Sequence, residues 1–248
     1  MAGHSKWSTI KRAKGAADAK RANLFTKLAR EITVAARTGM PDPEANPRLR
    51  IAVQKARAEH MPKDNIQRAI DRATGGADGA NFDEVTYEGY GPGGIALIID
   101  TLTDNRNRTV GEIRAAMTRS GGNLGESGSV AWMFDLVGLI VVPTEGLDED
   151  ELQMQAIEAG AVDVAVDEGV LETYTESTEL HAVASALTDA GLETTTVELI
   201  KKPKTQMQPD TDTAVKVIRL IEKLDDLDDV QTVYSNLEIS DDVMAQVS

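Results

Sequence analysis

The sequence predicts a multi-domain protein of the α plus α+β class: an N-terminal three-helix domain, a second α/β domain, and a ferredoxin-like (βαββαβ) third domain inserted into the second. Three observations lead there. Residues 1–80 carry apolar positions at helical spacing only, and from residue 81 the pattern turns to alternation broken by Gly-rich turns. Residues 138–200 then run strand, helix, strand, strand, helix, strand. With 248 residues, 41% of them apolar, the chain has material for two or three small cores.

In residues 18–37, Phe25, Leu28, Ile32 and Ala35 recur at spacings of three and four, which makes one apolar stripe on a helix. Lys20, Lys27, Arg30 and Arg37 fall within an arc of roughly 100° on the opposite face. Gly39, Met40, Pro41 and Pro43 end this helix. Asn46 followed by Pro47 reads as an N-cap with proline at the first helical position, and Leu49, Val53 and Ala56 form the next stripe. After the break at Met61 and Pro62 a short third helix turns Ile66 and Ile70 inward and closes at Gly75 and Gly76.

Residues 85–88 and 95–99 read as strands joined by the GYGPGG turn at 89–94. Val110, Ile113 and Met117 line a helix that stops at Gly121 and Gly122, and residues 129–134 read as a further strand. The βαββαβ run has strands at 138–142, 162–166, 170–174 and 193–200, with helices at 148–159 and 178–190. Val162, Val164 and Val166 alternate with polar or small residues as a half-buried strand requires, and Leu180, Val183, Ala184 and Leu187 stripe the second helix. Residues 201–210 form a connector, followed by a helix carrying Ala214, Val217, Ile218 and Ile221 and a last strand at 230–234. The expected domains are 1–80 (basic, all-helical), 81–135 plus 205–248 (discontinuous α/β), and 136–204 (inserted, acidic, ferredoxin-like).

Charge is divided along the chain. The total of 26 Lys and Arg against 41 Asp and Glu is −15, yet residues 1–75 hold 16 basic and 7 acidic side chains while residues 76–248 hold 10 and 34. Residues 121–200 contain no Lys or Arg. Because the Debye length is about 8 Å at physiological salt, a distant acidic lobe is screened from a phosphate held at the basic end. Local charge therefore decides what binds.

The absence of cysteine excludes disulfides, thiolate metal sites and cysteine nucleophiles, and His4, His60 and His181 are too scattered for a zinc site or a triad. No catalytic residue, metal, cofactor or small-molecule substrate is expected, and the protein is read as a non-enzyme. Without an apolar run of membrane length or a secretory signal, a cytoplasmic protein with no membrane partner is expected.

The strongest functional signal is the basic N-terminal segment, where Lys6, Lys11, Arg12, Lys14, Lys20 and Arg21 surround Trp7. Cations interleaved with an aromatic suit phosphate contact with base stacking. A second cluster comes from TDNRNRT (residues 103–109) with Arg114 and Arg119. Asn105 and Asn107 can start a helix whose N-terminus seats a phosphate; the alternative is a strand-to-helix turn in which the arginines pair with Asp100, Asp104 or Glu112. GGNLGESGSV (residues 121–130) follows a helix and precedes a strand, the reverse of a nucleotide-binding loop, and reads as a helix cap and flexible connector. The acidic clusters at 148–151 and 225–229 lack calcium-loop spacing. The first favours a helix N-terminus, and both are expected to repel nucleic acid and keep the distal lobe soluble. His181 is expected at a surface or core edge.

AGHSKW (residues 2–7), followed by Ile10, Lys11, Lys14, Asp18, Arg21, Phe25, Lys27, Leu28, Glu31 and Ile32, resembles the opening signature of the YebC family. TDNRNRT and GGNLGESGSVAWMF (residues 121–134) also resemble family motifs, and the likeness extends over essentially the whole chain. The resemblance implies the same three domains, with the ferredoxin-like one inserted into the second. It also implies nucleic-acid binding: family members are described as probable DNA-binding transcriptional regulators, a mitochondrial relative as a translational activator, and bacterial relatives as acting on ribosomes stalled at proline-rich sequences. The expected contact residues are Lys6, Trp7, Lys11, Arg12, Lys14, Lys20, Arg21, Lys27, Arg30, Arg106 and Arg108. The expected partner is DNA, with ribosomal RNA and the ribosome as the alternative, and an acidic module that recruits a basic protein as a further one. The connector at 39–46 is too long for a helix-turn-helix, so phosphate or shape recognition is expected in place of major-groove reading.

Overall fold

The elements, in chain order, are α1 (Asp18–Thr38), α2 (Pro47–Ala58), α3 (Lys63–Thr74), β1 (Asp83–Tyr90), β2 (Ala96–Thr103), α4 (Arg106–Arg119), β3 (Asn123–Leu124), β4 (Phe134–Pro143), α5 (Glu149–Glu158), β5 (Asp163–Asp167), β6 (Val170–Glu176), α6 (Leu180–Asp189), β7 (Thr196–Pro203), α7 (Thr211–Asp225), β8 (Val230–Ser235) and α8 (Asp241–Val247). They come from a computed structural model that describes residues 18–75, 81–167 and 169–247. The chain divides into two compact units, one comprising the described residues of Ala16–Val130 with Lys216–Ser235, the other those of Ala131–Val215 with Asn236–Ser248.

In the first unit, α1, α2 and α3 enclose a core of Leu28, Ile32, Ala35, Leu49, Val53, Ala56, Ile66 and Ile70, the stripes expected from spacing. Asn46 has two jobs here. Its side-chain oxygen accepts the Leu49 N–H and so caps α2, with Pro47 in the first turn. Its amide donates to the carbonyls of Ala35 and Met40, fixing the end of α1 and the connector that follows.

The remaining strands of this unit form an antiparallel sheet ordered β3-β1-β2-β8. The β1–β2 turn is GYGPGG, in which Gly93 and Gly94 take φ of 71° and 77°, a conformation that favours glycine. The helix α4 packs close to β1: a Cβ on Gly89 would lie 2.6 Å from the Met117 Cε and 2.5 Å from the Asn123 carbonyl oxygen.

Residues 129–134, expected as a strand, instead end in a turn and a short 3-10 segment, Ala131–Met133, with β4 starting at Phe134. The cause is the buried Glu88, whose carboxylate accepts the N–H of Gly128 at 2.7 Å and of Val130 at 2.8 Å, while its carbonyl accepts Gly125 N–H at 2.8 Å. Backbone donors taken by a side chain are not available to a ladder. The two-residue β3 and the C-terminal α8 were not anticipated from spacing.

The second unit holds the antiparallel sheet β5-β6-β4-β7. Numbered within the βαββαβ unit this order is 2-3-1-4, the ferredoxin-like arrangement. Its core joins Ile140, Val142 and Leu171 of the sheet to Leu152 and Ala156 of α5 and Leu180, Val183 and Leu187 of α6. Asp148 caps α5 by accepting the Glu151 N–H, and three acids fill the first turn. His181 is exposed. Of the 205–248 stretch, only the part through β8 from Lys216 groups with the first unit, and Asn236 onward groups with the second.

Candidate nucleic-acid interface

The polar face of α1 does not look out to solvent along its whole length. Lys27 donates to the Asp225 carbonyl and lies 3.6 Å from its carboxylate. One turn on, Arg30 donates to the Asp228 carbonyl, reaches Asp229 Oδ1 at 2.8 Å, and stacks over Phe82 with its guanidinium carbon 5.4 Å from the ring centre. Asn23 adds a bond from its amide to the Asp226 carbonyl at 2.8 Å. The segment linking α7 to β8 is thus seated on α1 from Asn23 to Arg30.

Asp229 is the centre of this contact and is 1% exposed. Its second oxygen accepts from Arg108 Nη2 at 2.6 Å, Thr109 Oγ1 at 2.7 Å and Thr103 Oγ1 at 3.0 Å. Burial pushes the Asp229 carboxyl up, but the bonds from Thr109, Arg108 and Thr103 and the charge of Arg30 outweigh it and hold the group below the usual carboxylate range. The acidic cluster at 225–229, expected to be a solvated repellent surface, is instead in part an internal acceptor for cations from α1 and α4.

The TDNRNRT segment builds the other side. Asn105 caps α4 by accepting the Arg108 N–H at 3.1 Å, and the Thr103 hydroxyl accepts the Asn105 N–H at 2.9 Å. Arg108 then bridges Asp104 at 2.8 Å and Asp229. Arg106 pairs with Asp83 at 2.7 Å, with side chains 63% and 46% exposed. Of the three partners proposed for these arginines from sequence, Asp104 is used, while Asp100 accepts from the Thr86 hydroxyl. Asp229 and Asp83 escaped notice because they lie 121 and 23 residues away from the arginines they meet.

The other expected contact residues lie apart from this cluster. Lys6, Trp7, Lys11, Arg12 and Lys14 fall outside the described residues, Lys20 lies on α1, and Arg21 is exposed. On the helical domain Arg57, Lys63, Arg68 and Arg72 are also exposed, cations that the sequence reading passed over while following the apolar stripes. No helix among the described residues is long and apolar enough to cross a membrane.

A basic three-helix domain, an α/β domain locked to it by a buried carboxylate, and a ferredoxin-like insertion define a multi-domain protein whose cations are concentrated in residues 1–75. Comparison with known families gives that architecture its place. The model of the TACO1/YebC protein N-terminal domain matches residues 5–76 and that of the TACO1/YebC second and third domain matches residues 82–237; the chain belongs to the TACO1/YebC family. It is 54% identical over 249 residues to a probable transcriptional regulatory protein of Chloroflexus aurantiacus, covering 99% of each chain. To a protein of the same description from Roseiflexus castenholzii it is 55% identical over 251 residues, covering 99% of this chain and 98% of the other. The crystal structure of a conserved hypothetical protein from Aquifex aeolicus superimposes with a TM-score of 0.84 at 47% identity, over 90% of this chain and 93% of that one.

Proposed function

We propose that this protein is a non-enzymatic regulator of gene expression that binds nucleic acid, DNA in the first place, through phosphate contacts made by its basic N-terminal segment and helical domain. The observation that carries the reading is the charge division, 16 basic to 7 acidic side chains in residues 1–75 against 10 to 34 in the rest. The regulatory description of its relatives supports it. The contacting set is Lys6, Trp7, Lys11, Arg12, Lys14, Lys20 and Arg21, with Arg106 able to leave its exposed partner. Lys27, Arg30 and Arg108 act differently: already bonded to Asp225 and Asp229, they hold the helical domain in place. The connector between α1 and α2 spans residues 39–46, too long for the tight turn of a helix-turn-helix, so backbone and shape recognition is favoured over base reading.

The test is equilibrium binding of the full chain to duplex DNA and to structured RNA across a potassium chloride series. With about five phosphates contacted by the N-terminal segment and helical domain, these contacts should contribute about −4.5 to the slope of log K against log salt on duplex DNA. Replacing Lys6, Lys11, Lys14 and Arg21 together by Ala should abolish most of that contribution. Affinity indifferent to salt, or a variant that binds like the wild type, defeats the reading, and a steep slope on RNA alone would move the function to translation.

A further inference from the structure

Seven of the ten Lys and Arg in residues 76–248 lie on two helices of the first unit, and five of them stand apart from the acids that hold Arg106 and Arg108: Arg114 and Arg119 on α4, Lys216, Arg219 and Lys223 on α7. All five are exposed. Among the described residues none of them has an ion pair, in contrast to Arg106 and Arg108 at the start of α4.

Their arrangement follows from the burial of α7. Ala214, Val215, Val217, Ile218, Leu220, Ile221 and Leu224 are buried, which leaves a narrow solvent stripe at helical spacing, occupied by Lys216, Arg219 and Lys223. The Lys223 ammonium lies 3.4 Å from Ser120 Oγ, the residue that ends α4, so the stripe runs up to Arg119. Asp212 and Asp226 lie on the same stripe at its two ends, and the half-buried Glu222 borders it between Arg219 and Lys223. From Lys216 to Lys223 the row is about 10.5 Å long at 1.5 Å per residue. One strand of a duplex presents a phosphate every 3.4 Å or so along its axis, so three cations over that length match about three phosphates.

We propose that the α7 stripe, continued by Arg119 and Arg114 of α4, is a second contact surface for the phosphodiester backbone of duplex nucleic acid, separate from the N-terminal segment. The inference rests on the nucleic-acid-binding reading above and adds a named surface to it. A row of ammonium and guanidinium groups with no aromatic among them fits contact with the phosphate backbone.

The experiment compares the full-length wild type with a Lys216→Ala/Arg219→Ala/Lys223→Ala variant by fluorescence anisotropy on a DNA duplex and on an RNA duplex of matching sequence, each over a salt series. The three positions are exposed, and an unchanged thermal midpoint checks that the fold is kept. On DNA the slope of log K against log salt should become shallower by about 2.7, three contacts at about 0.9 each. A Lys216→Arg/Lys223→Arg variant, which keeps the charge, should bind as the wild type does. A loss on one duplex alone identifies which nucleic acid the surface meets. Wild-type slopes on both duplexes in the triple variant overturn this inference and leave the N-terminal reading standing, whereas a wild-type protein that binds neither duplex overturns both.

Discussion

Two helices of the first unit carry a row of cations, and the rows meet opposite fates. On α1, Lys27 and Arg30 are turned onto the chain's own acids, ending at a carboxylate that is 1% exposed. On α7, Lys216, Arg219 and Lys223 are exposed, and among the described residues no ion pair holds them. Both rows satisfy the same helical arithmetic. What separates them is the long-range packing that brings the 225–229 segment to one and not to the other, so charge on a face becomes a binding surface only where the fold leaves it unmatched. A buried carboxylate must be paired because its desolvation is costly, and Asp229 is paired from two helices and a strand end at once.

The sharpest way to break this comparison is Asp229→Ala. It would leave Arg30 and Arg108 without their buried acceptor and take from the Thr103 hydroxyl the oxygen it donates to, so a loss of about 3–5 kcal/mol is expected in urea unfolding. A loss under about 1 kcal/mol, no larger than an exposed ion pair supplies, would refute the description of Asp229 as the lock between helical and α/β domains.

Acid should act on the same bond more gently. The Asp229 carboxyl is held below its ordinary value, so its contribution is fully present above the unfolded value of about 4 and is lost as pH falls through the folded value. The stability gap between wild type and Asp229→Ala should therefore be constant from neutral pH to about 5 and narrow below about 4. A gap that stays level down to pH 3, or that widens, contradicts the pairing.

The sequence made part of this legible. Asn46 before Pro47 announced the start of α2, and the βαββαβ order emerged from spacing because each of its elements is short, separately punctuated and half-buried. Residues 129–134 depart from the expected strand because of Glu88, and no local pattern reveals that this one carboxylate, 40 residues before Gly128 and 42 before Val130, takes both backbone donors. The same limit applies to the site. Arg30 and Arg108 are visible as cations, but their capture by Asp229, 199 and 121 residues away, is a tertiary fact. An Asp immediately before the apolar Val230, at the head of a strand, was the one available hint.

Arg106 lies between the two fates and gives the finest test. It is bonded to Asp83, as Arg30 is to Asp229, but both partners are largely in water, which screens the pair and leaves it little to contribute. Arg30, with its partner buried, makes a charged hydrogen bond of the kind worth about 1.5–3 kcal/mol. Arg106→Ala should leave the urea midpoint where it is in the wild type, and Arg30→Ala should lower it measurably. Equal losses would mean that the depth of the acid does not govern how firmly a cation is held, and Arg106 could then no longer be counted among the groups free to move to phosphate.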